Sequence, residues 1–149
     1  MPRNRHLEWR VPYAPGRIET IGYNKGRIAA RDVRETTGAA HAVRLTVDRR
    51  MARAGEVVIA NAMVVDARGR TVPTADSLLR FAATGGEVIG VGNGNPNSHE
   101  PDKATARSLF NGFAQVIVQS ERGRTGSLLL RATSSGVKDA LARMTVRGA

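Results

Sequence analysis

The strongest constraint on this chain is a two-residue alternation of apolar and polar side chains, broken at short intervals by glycine, proline and asparagine. In AVRLTV, Val43, Leu45 and Val47 fall on one side of an extended segment and Arg44 and Thr46 on the other, because successive Cβ atoms of a strand point to opposite faces. The run EVVIANAMVVD (56–66) is long and β-branched, and ARGR (67–70) gives a polar turn before Val72 and Pro73. LLRFAA (78–83) ends at Gly85-Gly86, EVIGV (87–91) follows, and FAQVIVQS (113–120) resumes the pattern. ERGRTG (121–126) turns the chain, SLLLRAT (127–133) returns it, and residues 134–136 turn it again. The last run, ALARMTVR (140–147), sets Ala140, Ala142, Met144 and Val146 on one core-facing side. Short strands at this spacing predict an all-β fold, an antiparallel sandwich. DKATARSLF (102–110) is the single segment read as a short helical turn.

The first 38 residues predict something less self-sufficient. RIETIGY (17–23) and RIAARDVRE (27–35) are joined by NKG, a hairpin signal because Gly26 tolerates positive φ. Before them EWRVPYAPG (8–16) holds the only Trp, Trp9, and one of the two tyrosines, Tyr13, and after them TTGAAH (36–41) reads as a linker. A lone hairpin cannot cover its own apolar side chains and is marginal in water. It has to lean on the sandwich or on a partner, which implies a portion of something larger.

Composition narrows the function classes. There is no cysteine, so disulfides and thiolate metal sites are excluded, and with six aromatic residues the core must be mainly aliphatic. No apolar run approaches the roughly 20 residues of a membrane helix, so no membrane partner is expected, and MPRNRHLEWR lacks the apolar stretch of a secretory signal. The net charge of +10 raises nucleic acid as a partner. Twenty of the 23 cations are arginines scattered from Arg3 to Arg147, never more than two in a row, which disfavours a binding patch. A single basic face gathering Arg44, Arg80, Arg131 and Arg143 would reverse that judgement.

The oddest stretch is GVGNGNPNSHEPDK (90–103). A phosphate cradle wants a helix directly after its glycines, and here Asn97, Ser98 and a proline follow. A calcium loop would draw on Asn93, Asn95, Glu100 and Asp102, but Lys103 and Arg107 add opposing charge and the spacing fits no EF-hand. His99 lacks nearby His or Cys partners for a transition metal. Neither a metal nor a cofactor is therefore expected. The alternative is an ordered connection in which glycines take positive φ and asparagines bond their own turns. At about 20 residues it is longer than ordinary loops, and Asn93, Asn95, Ser98, His99, Glu100 and Asp102 make it a candidate interaction loop that docks on another domain.

These residues also carry a resemblance. Trp9, Pro12, Tyr13, Pro15 and Gly16, then Asn93-Gly94-Asn95-Pro96, Ser98-His99-Glu100-Pro101 and Phe110-Asn111-Gly112, with VVDARGRTVP and VIVQS, resemble the C-terminal end of bacterial β-galactosidases of glycoside hydrolase family 2. The resemblance covers nearly the whole chain. It implies that residues 1–38 are the closing hairpin of one β-sandwich module and residues 39–149 an immunoglobulin-like sandwich, similar to bacterial adhesin domains. It also implies a periplasmic or secreted parent with a catalytic barrel outside this chain.

Glycoside hydrolysis needs two carboxyl groups about 5 to 10 Å apart around one bond, in this family on a barrel of roughly 200 residues or more. Glu100 and Asp102 are the best-placed pair here, yet a surface loop gives neither the burial that raises an acid's pKa nor a sugar cleft. The expectation is a non-catalytic module whose partners are other domains of the parent. Carbohydrate is the rival partner, through stacking on Trp9 and Tyr13; exposure of both would favour it, whereas burial at a domain seam would favour packing. An adhesin-like or nucleic-acid-binding domain is the third reading.

Overall fold

The computed structural model describes residues 7–148, which fall into two compact units divided between Thr36 and Thr37. Among the described residues there is no helix, and so none long and apolar enough to cross a membrane.

The first unit is a hairpin of β1 (Arg17–Asn24) and β2 (Arg27–Glu35). Lys25 and Gly26 have φ of 48° and 76°, so both central turn residues take the left-handed conformation that matches the twist of paired strands. The open end is fastened by the Thr36 N–H donating to Gly16 O (2.8 Å) and the Gly16 N–H donating to Thr36 Oγ1 (3.0 Å). No described residue of this unit is buried.

The second unit is a sandwich of nine strands. One sheet has the order β4-β11-β10-β6-β8, from Met51–Arg53, Ala140–Arg147, Gly126–Thr133, Leu78–Thr84 and Ala106–Ser108. The other has the order β3-β5-β9-β7, from Ala42–Val47, Val57–Val65, Phe113–Ser120 and Gly86–Gly92. Their pairings are antiparallel except β11 with β4. This is the antiparallel sandwich the alternation predicts, and the immunoglobulin-like one the resemblance implies. Val58, Ala60, Val64, Val116 and Val118 face Leu79, Phe81, Leu128, Leu130 and Met144 across an aliphatic core, with Phe81 its one buried aromatic. Val43, Met144 and Val146 lie in it as expected, with Leu45, Val47, Ala140 and Ala142 packed at its margin.

Between β6 and β7 the chain passes from one sheet to the other with only Gly85 intervening. A Cβ on Gly85 would lie 2.4 Å from Ser127 O, and one on Gly86 2.3 Å from Gln119 O. The glycine pair is therefore a close crossing of backbones, which no larger residue fits without displacing a strand.

Two expectations are corrected. Residues 102–110 form no helical turn; Ala106–Ser108 pair with Leu78–Arg80 as the short edge strand β8. Local composition favoured a turn of helix, but the open edge of β6 offers backbone partners that an isolated turn lacks. Nor is segment 36–41 a free linker. The Gly38 N–H donates to Asp66 Oδ2 (2.9 Å), the His41 N–H to Val65 O (2.8 Å) and the Lys138 N–H to His41 O (3.0 Å).

Candidate functional site

The conspicuous stretch joins β7 to β8, the edge strands of the two sheets, and so closes one side of the sandwich. Its first half is a chain of side-chain-to-backbone turns. Asn93 Oδ1 accepts the Asn95 N–H and Asn95 Oδ1 accepts the Asn97 N–H, both at 3.0 Å; the Ser98 hydroxyl accepts the Glu100 N–H at 3.4 Å. These are the Asx-type bonds that asparagine and serine make with their own backbone. The Asn93 amide then donates to Ser108 O (2.9 Å), and the Val91 N–H donates to Asp102 O (2.8 Å).

Arg107 holds the second half. It lies on β8 opposite Leu79, so its side chain faces inward and is only 4% exposed. Its Nη1 donates to Glu100 O (2.9 Å) and to Asp102 Oδ1 (3.1 Å), and its Nη2 to Asn93 Oδ1 (3.4 Å). Its Nε has no hydrogen-bond partner and stands 3.8 Å from Glu100 Oε2. That carboxylate accepts the Ser108 N–H at 2.9 Å. The Ser108 backbone and hydroxyl donors, then the Arg107 charge, hold Glu100 below the usual carboxylate range against the opposing effect of burial.

The geometry brings together Asn93, Asn95, Ser98, Glu100 and Asp102 and leaves His99 exposed outside the network. It also bears on the chemistry open to them. A general acid needs a raised pKa and a free proton; Glu100 is pushed the other way and shares one guanidinium with Asp102. A cation would need the space between Asn93, Glu100 and Asp102, where the guanidinium already supplies the positive charge. Among the described residues no group of three or more acidic or histidine side chains could hold a metal.

Arg107 is the residue whose role the sequence reading missed, although a signal was present. In ARSLF it shares its parity with Leu109, which is also buried. An inward-pointing charge on a short edge strand is one of the ways a sheet edge is protected from pairing with another chain. Asp66 is a second such hub. Its Oδ1 accepts the N–H groups of Arg68 and Arg70, each at 2.9 Å, and its Oδ2 accepts from Gly38 and from the Arg70 guanidinium. The Gly38 donor above all, then Arg70, holds its carboxyl far below the usual range although the side chain is buried.

Comparison with known proteins places this architecture. Residues 43–143 match the model of glycoside hydrolase family 2 C-terminal domain 5. The chain belongs to that family. Its first 30 residues match a separate domain of unknown function, DUF4982. A beta-galactosidase of Bacteroides ovatus, BoGH2A, is 34% identical over 145 residues, which is 95% of this chain and 17% of that protein. A family 2 glycosyl hydrolase of Bacteroides cellulosilyticus superposes with a TM-score of 0.87 at 29% identity, over 92% of this chain and 19% of the other. A beta-glycosidase of Bacteroides vulgatus gives 0.86 at 31%, over 93% and 18%. An Escherichia coli adhesin, FdeC, shares the fold alone, at a TM-score of 0.51 and 17% identity. The chain thus spans less than a fifth of the length of these hydrolase relatives.

The remaining candidates can be located within this family 2 module. Arg80, Arg131 and Arg143 lie on the five-stranded sheet, but Arg44 lies on the other, where it donates to Gly69 O (2.8 Å). The four arginines therefore do not gather on one face. Trp9 and Tyr13 sit in the extended segment before β1, 65% and 82% exposed.

Proposed function

We propose that this chain is a non-catalytic module of a larger family 2 β-galactosidase-like hydrolase and that it works by packing against other domains of its parent or a second copy. The observation that carries the reading is a set of apolar side chains in excess of what each unit can cover. On the outer face of the four-stranded sheet Val57, Ile59, Ile89 and Phe113 are exposed, beside Ile117, with Gln115 donating to Asn61 (3.1 Å) as a neutral polar pair. In the first unit Leu7, Val11, Ile18, Ile21, Tyr23 and Ile28 are exposed as well. Exposed apolar side chains in this number, set among polar groups, mark an interface. The 34% identity to a beta-galactosidase along nearly the whole chain supports a parent of that kind.

The test compares two contexts. Ile59→Glu with Phe113→Glu should lower the Tm of the parent enzyme well beyond the small change in the isolated chain, where both side chains are already in water. Equal shifts in the two contexts would end the packing reading. The isolated chain should also leave 4-nitrophenyl β-D-galactoside unhydrolysed, and turnover lost in Glu100→Gln would overturn the non-catalytic one.

The exposure of Trp9 and Tyr13 favours a second reading, sugar stacking. Against it stands their company: aliphatic side chains such as Leu7, Val11 and Ile18 resemble half of a packed core more than a platform for sugar C–H faces. Titration of the labelled chain with galactose, lactose and a β-galactan oligosaccharide decides. Saturable amide shifts confined to residues 9–23 would establish stacking, and none at millimolar sugar would remove it.

A further inference from the structure

The outward face of the five-stranded sheet differs in kind from its counterpart. Its outward positions are Leu78, Arg80, Ala82 and Thr84 on β6, Ser127, Leu129, Arg131 and Thr133 on β10, Leu141, Arg143, Thr145 and Arg147 on β11, and Met51 and Arg53 on β4. None of these is acidic and five are arginines. The register aligns three of them. Arg80 stands opposite Thr133, Arg131 opposite Leu141, and Arg143 opposite Leu129, so the stripe steps one strand across and two residues along each time. With strands about 4.8 Å apart and a rise of about 3.3 Å per residue, successive guanidinium roots are about 8 Å apart. Arg147 and Arg53, side by side on β11 and β4, extend the row.

Among the described residues Arg131 alone of the stripe has a carboxylate partner, Asp139 at 2.6 Å on the turn before β11. At the far end Glu56 is engaged by the Arg53 backbone N–H (2.9 Å). Exposed Leu78 and Leu141, with half-buried Leu129, flank the stripe.

We infer that this face is a docking surface for an acidic polysaccharide. A planar guanidinium matches a carboxylate through two parallel N–H···O bonds, and a diagonal row of them reads a repeating anion rather than a single one. The leucines supply apolar surface for the C–H faces of pyranose rings between the acids, and the threonine hydroxyls suit ring hydroxyls. Single-stranded nucleic acid fits poorly, because it needs aromatic platforms for its bases. The outward positions carry no Trp, Tyr or Phe, and Phe81 of β6 faces the core. The choice of a glycan among polyanions rests on the reading that the parent acts on glycosidic bonds, but the surface is separate from the apolar sheet that packs.

The experiment is affinity electrophoresis of the 149-residue chain in gels containing polygalacturonate, fully methyl-esterified polygalacturonate or oligo(dT). Retardation is expected with polygalacturonate only, weakening with added salt as a charge interaction must. The triple variant Arg80→Gln, Arg131→Gln, Arg143→Gln should bind about tenfold more weakly, the sum of three modest surface pairings. A charge-matched control, Arg44→Gln, Arg68→Gln, Arg122→Gln, should keep its affinity, since those arginines lie off the stripe, Arg44 on the other sheet.

Equal weakening of both triples would show that net charge alone is responsible and overturn the site. So would equal retardation by the methyl ester, or stronger binding to oligo(dT). Failure here leaves the packing reading untouched, because that one is measured in the parent's Tm and on the opposite sheet.

Discussion

The hairpin of residues 17–35 and the strand pair of residues 126–147 are both antiparallel ribbons and reach opposite ends. In the first, Ile18, Ile21, Tyr23 and Ile28 all remain exposed. In the second, Leu128, Leu130 and Ala132 are completely buried and Met144 nearly so. Backbone pairing runs the length of both, interrupted in the hairpin by one register shift between Gly22 and Tyr23. What differs is a second layer: β10 and β11 face another sheet, and the described hairpin has only two strands of its own. Alternation therefore specifies a strand and the side it must hide, but burial is supplied by whatever covers that side.

The sharpest way to break the comparison is to cut it. Residues 37–149 expressed alone should unfold in one cooperative transition, with a Tm within about 5 °C of the intact chain, because the core lies wholly in that unit. A peptide of residues 1–36 should show no strand signal by circular dichroism and collapsed amide dispersion by NMR. A hairpin that folds alone would mean its exposed residues are not waiting for cover. Within the intact chain, Leu128→Ala should cost about 2–5 kcal/mol, whereas Ile21→Ala should change the denaturation midpoint by less than about 0.5 kcal/mol.

The same contrast explains what was legible in the sequence. The strands were readable because the period of two is local, and the asparagine turns of residues 93–98 because Asx bonds reach only two residues. The sheet assignment was not. Nothing near Gly85 says that Arg80 and Glu87 belong to different sheets; that follows from backbone contacts with Ser127 and Gln119, far away in sequence. The site was half readable for the same reason. Asn93, Glu100 and Asp102 were chosen for their chemistry, but their meeting point is Arg107, whose burial depends on β8 pairing with β6. Read locally, Arg107 was an opposing charge that argued against a calcium loop; in the fold it stands where the cation would have been.

A smaller effect than the loss of a core leucine is expected from Arg107→Ala. It strips partners from Glu100 O and Asn93 Oδ1 and leaves Glu100 and Asp102 without their shared cation. A loss of about 2 kcal/mol is expected, in the range for removing one partner of a buried polar group. Hydrogen exchange should locate it: amides of residues 91–108 should lose protection while those of β10 and β11 keep theirs. The hairpin offers the counterpart. Arg31→Ala removes one of the two arginine partners of Glu19, but that pair is solvated, so little change in Tm is expected. Uniform loss of protection over the whole sandwich would show that Arg107 belongs to the core rather than to the loop.

A last expected effect lies in the acid limb of the stability curve, and it separates the two units once more. Asp66 and Glu100 both have carboxyls held below their ordinary values, Asp66 by much the more. A depressed folded pKa means that the unfolded chain takes up protons first. The stability from each group is thus full above the unfolded value of about 4 and drains as pH falls through the folded one. Tm should be flat above about pH 5 and decline steadily below it, with the contribution of Glu100 exhausted before that of Asp66. Asp66→Asn keeps the shape but loses the charge that Gly38, Arg68 and Arg70 gather around, so its plateau should be lower and its acid limb shallower. Glu19→Gln should alter neither, because the bond from Arg31 that lowers Glu19 is exposed to solvent. If Asp66→Asn declines as steeply as the parent sequence, the acid loss comes instead from repulsion among 23 cations as their 13 acidic neighbours are neutralised. In that case added salt should restore the lost stability in both proteins alike, which no local hydrogen bond to Asp66 would allow.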